Sequence, residues 1–254
     1  MNIVLFDIDG TLAIGRNVPE SAEKALREMR ENGDLVFICT GRSPSYVKKN
    51  FGQYADGFIC CNGRLAFMGE EILYDHPLTN QQVDEIVKRL KNVNAGYAFF
   101  ETNAGYFEGS DEGFALMSGV WDPGFLRRGL PEEMRAYNFD VYFQGLEHRL
   151  QIEKELEDIC LLNPHGPHPT ADVTVLGIDK GTALINIAKK LNIPLENTYA
   201  FGDGVNDICM IEAAGHGIAM GNGVDALKEK AEYVTAEILK DGVYLGLKHY
   251  GLVK

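Results

Sequence analysis

The sequence predicts an α/β protein: a doubly wound parallel sheet with a second, α+β domain inserted into it. Three observations predict this. Short apolar runs alternate with helical patterns in the first third of the chain. The same rhythm resumes in the last third. Between them lies a stretch of different texture, where aromatic strand-like runs are joined by short Gly-containing turns.

Each element has its own signal. Residues 2–6 read as a buried strand. Pro19 to Asn32 is a helix, with Pro near its start and Gly33 past its end. Residues 34–39 form a second apolar strand, followed by Thr40-Gly41-Arg42. Ser43-Pro44 opens another helix, with Ser as the N-cap. Residues 57–61 are a third strand. In the last third, Lys180 to Leu191 is helix, Thr198 to Phe201 strand, Asp207 to Ala214 helix and His216 to Met220 strand. A helix is expected over about 224–231 and a last one over Ile238 to Tyr250.

The middle opens with the helix NQQVDEIVKRLKN, followed by GYAFFET, GYFEG and FDVYFQ, a charged helical stretch near 146–157, then DICLLN and ADVTVL. Neighbouring strand runs with short turns suggest an antiparallel sheet with helices. The expected division is 1–77 with 175–254 for the outer domain and 78–174 for the insertion.

Bulk properties exclude several function classes. The 254 residues suffice for a large domain or a core with a smaller partner, and 45% hydrophobic content supports full cores. No apolar run is long enough to span a bilayer, and the first residues do not form a signal peptide, so neither a membrane nor secretion is expected. Five cysteines without paired CxxC spacing read as reduced, mostly buried thiols in a cytoplasmic protein. A net charge of −13 argues against general nucleic-acid binding but leaves room for a local basic pocket. Oligomeric state is not legible.

Polar groups gather at the ends of the predicted strands, where open α/β sheets bind ligands. The first strand runs into Asp7-Ile8-Asp9-Gly10-Thr11. With a period of two, Asp7 and Asp9 start on the same face and require a cation, a phosphate pocket or solvent. The other ends carry Thr40-Gly41-Arg42, Cys61-Asn62-Gly63 and the run from Gly202 to Asp207, with Lys180 at a helix start. Taken singly, these read as a solvated loop, ordinary turns, an N-cap and a surface lysine. Their combination, in one order along one sheet, is far more specific.

That combination resembles the haloacid dehalogenase superfamily. DIDGT (7–11), TGR (40–42), Lys180 and GDGVND (202–207) match its four motifs in order. The position of the insertion, the GDGVND form and GIAMGNG (217–223) resemble its Cof-type phosphatases, which carry an α/β cap in that slot. The resemblance implies a Rossmann-like core and an Mg²⁺-dependent phosphatase acting on a small phosphorylated metabolite, sugar phosphates above all. It implies Asp7 as nucleophile and Asp9 as acid and base. Mg²⁺ would be held by Asp7, the Asp9 backbone carbonyl and Asp203, with Asp207 assisting. Lys180 would pair with Asp7 and the phosphate, Thr40 and Gly41 would hold phosphoryl oxygens, Gly10 would allow close approach, and Asn206 would contact phosphate or substrate. Arg42 follows the motif as a substrate contact, with a structural ion pair as its alternative. An Asp at position 9 separates the chain from P-type ATPase domains, which carry Thr there, and from dehalogenases, which lack it. A phosphosugar mutase of the same cap type and a metabolite-binding regulatory protein remain as alternatives.

Weaker features have blander readings. His165 and His168 in PHGPHP suggest an exposed loop rather than a metal site. Tyr97, Phe99, Phe100, Tyr106 and Phe107 suggest core at strand spacing. Arg127-Arg128 beside Trp121 suggests a solvated loop, with a second phosphate contact as the alternative. His216 and the cysteines suggest packing residues.

Overall fold

The computed structural model describes residues 1–121 and 123–254. They divide into two compact units: Met1–Asp75 with Ile178–Lys254, and His76–Gly177. Each unit is built on its own sheet.

The chain enters the first unit through β1 (Ile3–Phe6), every residue of which is buried. Helix α1 (Glu20–Glu31) follows Pro19, and the chain leaves it through Gly33 at φ +87°. Strand β2 (Leu35–Cys39) leads to α2 (Pro44–Phe51), where the Ser43 hydroxyl accepts from the Tyr46 N–H. Strand β3 (Gly57–Cys60) follows. Two further strands, β4 (Leu65–Met68) and β5 (Glu71–Asp75), then form an antiparallel hairpin turned at Gly69, φ +57°. The doubly wound sheet therefore has an antiparallel edge, which the short LAFM and EILYD runs did not disclose.

The second unit begins with α3 (Asn80–Asn92), capped reciprocally by Thr79 and Gln82. Strands β6 (Gly96–Phe100) and β7 (Gly105–Glu108), helix α4 (Asp111–Ser118) and strand β8 (Leu126–Arg128) follow. Then come β9 (Asn138–Tyr142), α5 (Gly145–Leu156), β10 (Cys160–Pro164) and β11 (Thr170–Val175). The sheet order is β10-β11-β9-β6-β7-β8, antiparallel except for the parallel pair β7–β8. One face packs Tyr97, Phe99, Phe139 and Val141 against Ile86, Leu90, Ile152 and Leu156 of α3 and α5. The other packs Phe100 and Phe107 against Met117 of α4. Four of the five aromatics singled out in the sequence are thus core, and Tyr106 is half-buried.

The chain returns to the first unit through α6 (Lys180–Lys190), capped by the Asp179 carboxylate accepting from the Thr182 N–H at 2.7 Å. Strand β12 (Thr198–Gly202), helix α7 (Ile208–Ala213), strand β13 (His216–Ala219), helix α8 (Asp225–Lys228), strand β14 (Tyr233–Val234) and helix α9 (Gly242–His249) complete it. Three expected helices are shorter. That from Asp207 begins at Ile208, after a 3-10 turn, and that over 224–231 contracts to four residues. The last breaks at Asp241, whose φ of +60° no α-helix contains.

The sheet order is β14-β13-β12-β1-β2-β3-β4-β5, so β1 sits in the middle with β12 and β2 parallel beside it. Ile3 and Leu5 of β1 pack with Ala183, Leu184 and Ile187 of α6 on one face. On the other, Phe6 stacks on Phe201 at 4.9 Å. Just past β1, the Asp7 N–H still donates to the Phe201 carbonyl at 3.0 Å, and its carboxylate meets Lys180, the first residue of α6. Among the described residues, no helix is long and apolar enough to cross a membrane.

Candidate active site

The polar residues of the first unit converge where β1, β2 and β12 end. Lys180, the first residue of α6, is a buried cation with 1% side-chain exposure. A lysine at a helix start opposes the helix dipole and normally sits in water. Here two carboxylates compensate it. Its ammonium donates to Asp7 Oδ1 at 2.7 Å and to Asp207 Oδ1 at 2.6 Å. Burial alone would lower the Lys180 pKa, but Asp207 and Asp7 outweigh it and hold the ammonium well above its usual range.

Asp207 is fully used. Its second oxygen, Oδ2, accepts from the backbone N–H groups of Asp203 and Gly204, both at 3.0 Å. This carboxylate folds the Gly202–Asp207 loop back on itself while anchoring the lysine. Asp203 is oriented by Thr11, whose hydroxyl donates to Asp203 Oδ1 at 2.9 Å. Burial raises the Asp203 pKa to about 6 and that of Asp7 to about 7; Lys180 opposes the shift at Asp7, and Asp207 reinforces it. Three carboxylates forced this close are compensated only in part by one lysine, and the remainder is met by bound protons or by a cation.

Each of Asp7, Asp203 and Asp207 offers an oxygen within 4.8 Å of the others. An all-oxygen donor set of this spacing fits a hard divalent cation. Gly10 belongs to the same construction: at φ +89°, its missing Cβ would stand 2.2 Å from Asp203 Oδ2. Only glycine lets the chain pass there.

Asp9 departs from expectation. The strand ends at Phe6, and the backbone then turns, with the Leu12 and Ala13 N–H groups donating to the Ile8 carbonyl. Period-two alternation no longer applies, so the Asp9 carboxylate is not in the Asp7 cluster. It is half-exposed and faces Arg42, with Nε and one terminal nitrogen both 3.1 Å from Oδ2. The Arg42 N–H in turn donates to Thr40 Oγ1 at 3.2 Å. Thr40 is buried at the end of β2, and Gly41 packs against Asn62, whose Oδ1 would lie 3.1 Å from an added Cβ. Asn206 is half-buried and lies over Gly204.

Two groups escaped the sequence reading. Thr11 stood inside a quoted motif but was given no role. Asn222, in GIAMGNG, clasps the site from outside: its Nδ2 donates to the Gly10 carbonyl at 2.8 Å and its Oδ1 accepts from the Ile238 N–H at 2.9 Å. A lone Asn between two glycines was the available signal. The remaining features make local contacts. His165 caps a β-hairpin through Thr170 Oγ1, and among the described residues no histidine joins a metal-binding group. Arg127 and Arg128 lie in β8 rather than a loop; Arg128 pairs with Asp111 and lies over the Phe114 ring at 4.3 Å. His216 stacks on Tyr199 at 4.7 Å, and its Nδ1 lies 2.9 Å from Glu232. All five cysteines are free thiols, four of them buried.

Comparison with known proteins places this arrangement. Residues 4–247 match the family model of haloacid dehalogenase-like hydrolases. YkrA of Bacillus subtilis (strain 168) is 31% identical over 264 residues, covering 99% of this chain and 98% of the relative. YcsE of the same organism, a 5-amino-6-(5-phospho-D-ribitylamino)uracil phosphatase, is 28% identical over 256 residues, covering 99% and 96%. Among solved structures, the subclass IIB sugar phosphatase BT4131 superposes with a TM-score of 0.83 at 28% identity, with both chains fully covered. BT1666 from Bacteroides thetaiotaomicron gives 0.87 at 25% identity, covering 100% of this chain and 96% of that one. With a family match running nearly from end to end and the core-plus-insertion architecture in common, the chain belongs to the haloacid dehalogenase-like hydrolase family.

Proposed function

We propose that the protein is an Mg²⁺-dependent phosphomonoesterase acting on small phosphorylated metabolites through an aspartyl-phosphate on Asp7. The observation that carries this reading is the buried Asp7–Lys180–Asp207 chain at the end of β1. A buried carboxylate held by a buried ammonium, with a second acid two residues on, suits phosphoryl transfer better than simple binding.

Asp7, Asp203 and the Asp9 carbonyl would hold Mg²⁺, with Asp207 assisting by orienting Lys180 and the Asp203 loop; the ion would neutralise charge as an anionic nucleophile meets an anionic phosphoryl group. An Asp7 carboxylate oxygen attacks phosphorus, and the bond from phosphorus to the ester oxygen breaks. Asp9 gives its proton to that leaving oxygen. It then takes a proton from the water that attacks the phosphorus of the acyl phosphate; the Asp7–phosphorus bond breaks and phosphate departs. Lys180 holds Asp7 and offers positive charge to the phosphoryl oxygens. The Thr40 hydroxyl, whose oxygen already accepts from the Arg42 N–H, donates its proton to a phosphoryl oxygen, and the Gly41 N–H adds a second donor. The second unit occupies the sequence position of the cap in Cof-type phosphatases, the domain that in that family chooses the leaving group.

Sugar phosphates are the favoured substrate class, supported by the likeness to BT4131, a sugar phosphatase. YcsE and the pyridoxal phosphate phosphatase YbhA of Escherichia coli (strain K12), 26% identical over 266 residues, act on other esters, so the panel of candidates includes heteroaromatic phosphates. The test is borohydride reduction during turnover, which converts an aspartyl-phosphate to homoserine. Mass spectrometry is expected to find homoserine at position 7, and only with substrate present. Turnover without any such conversion would reject the covalent mechanism.

A further inference from the structure

We propose that Arg42 and Tyr46 are positioning residues for Asp9, a guanidinium clamp and its aromatic backing. The proposal rests on the phosphatase reading above. Arg42 places Nε and a terminal nitrogen on the same oxygen, Asp9 Oδ2, both at 3.1 Å. Its guanidinium carbon lies 5.2 Å from the centre of the Tyr46 ring, within cation–π range. Both residues are fixed at their backbones. The Arg42 N–H donates to Thr40 Oγ1, and its carbonyl accepts from the Cys61 N–H at 3.2 Å. Tyr46 sits in the first turn of α2, its N–H donating to the Ser43 hydroxyl at 3.4 Å and its carbonyl accepting from Asn50 Nδ2 at 2.9 Å.

The ring decides what this pair can do. Asp9 and Arg42 side chains are 47% and 36% exposed. An ion pair that open is weak by itself, because two flexible side chains must be held in one geometry. A ring face against the guanidinium removes part of that freedom before Asp9 is engaged. With Oδ2 held, Oδ1 is the oxygen left to carry the transferred proton. That proton goes to the ester oxygen as its bond to phosphorus breaks, the bonding electrons remaining on oxygen. Positioning therefore matters most where the leaving group is a poor one.

The experiment compares kcat/KM for p-nitrophenyl phosphate, whose leaving group needs no proton, with the alkyl phosphate the wild-type protein cleaves fastest. Arg42→Ala is expected to lower the alkyl value by about 30-fold and the aryl value by less than about 3-fold, the pattern of a damaged general acid. Tyr46→Ala is expected to lose about 5-fold on the alkyl ester alone, whereas Tyr46→Phe, which keeps the ring, matches wild type. If Arg42→Ala does not fold, Arg42→Lys keeps the charge, loses the fork and shows the same selectivity in smaller size. Equal loss on both esters would make Arg42 a phosphoryl ligand and overturn the proposal, as would alkyl turnover indifferent to either alanine. A wild-type protein that cleaves neither ester would instead bring down the phosphatase reading itself.

Discussion

The Lys180 ammonium stands 2.6 Å from Asp207 Oδ1, and each of the two side chains is only 1% exposed. Such a pair does not add much stability over apolar residues, yet breaking it leaves uncompensated buried charge. Lys180→Met is therefore expected to cost about 3–5 kcal/mol in urea unfolding. Turnover should fall by at least about 100-fold, since the charge that the proposed mechanism offers to the phosphoryl group is also lost. Unchanged stability would mean that the pair is not buried in solution.

Asp7→Asn separates chemistry from folding. The amide keeps the shape and can still meet Lys180, but it cannot attack phosphorus. Turnover should drop by at least about a thousand-fold while circular dichroism and the melting temperature stay near wild type. Substantial residual turnover in Asp7→Asn would remove Asp7 as the nucleophile.

The raised pKa values give a pH signature. Burial holds Asp203 at about 6 and Asp7 at about 7 in the folded protein, above their ordinary 3.8. The folded state therefore binds these protons more tightly than the unfolded state. The associated stability is complete below pH 4 and is lost as pH rises through 6 and 7. In chelator, Asp203→Asn, a neutral mimic of the protonated acid, should gain in melting temperature over wild type as pH rises across that window. Saturating Mg²⁺ should reverse the order above pH 7. A difference independent of pH would contradict the assignment.

Gly10→Ala tests the cradle. Gly10 and Gly15 both have positive φ, +89° and +63°, but only at Gly10 would a Cβ meet anything, namely Asp203 Oδ2 at 2.2 Å. Gly15→Ala should cost about 1 kcal/mol of stability and leave Mg²⁺ affinity alone. Gly10→Ala should weaken Mg²⁺ binding by at least about 10-fold in calorimetry, through displaced Asp203. Equal effects of the two substitutions would leave backbone strain as the whole explanation.

Much of this was legible in the sequence where one physical rule acts alone. The apolar runs at β1, β2, β3 and β12 had one reading, and Ser43 and Pro19 marked their helices. Legibility failed where rules compete. LAFM and EILYD are too short to distinguish an edge hairpin from a loop, and Asp241 breaks a periodic helix through one dihedral angle. Alternation pairs Asp7 with Asp9, but the strand ends before either. Helix-dipole reasoning alone reads Lys180 as a surface residue, and the family resemblance pairs it with Asp7; its second partner, Asp207, is brought to it by the topology. The grip of Asn222 on Gly10 spans 212 positions and has no local trace.

The most direct test is phosphate release from a panel of hexose, pentose, nucleotide, pyridoxal and flavin phosphates, with Mg²⁺ and with chelator. The account predicts release that requires Mg²⁺ and concentrates on sugar phosphates. Release undiminished by chelator, or no release from any member of the panel, would contradict it.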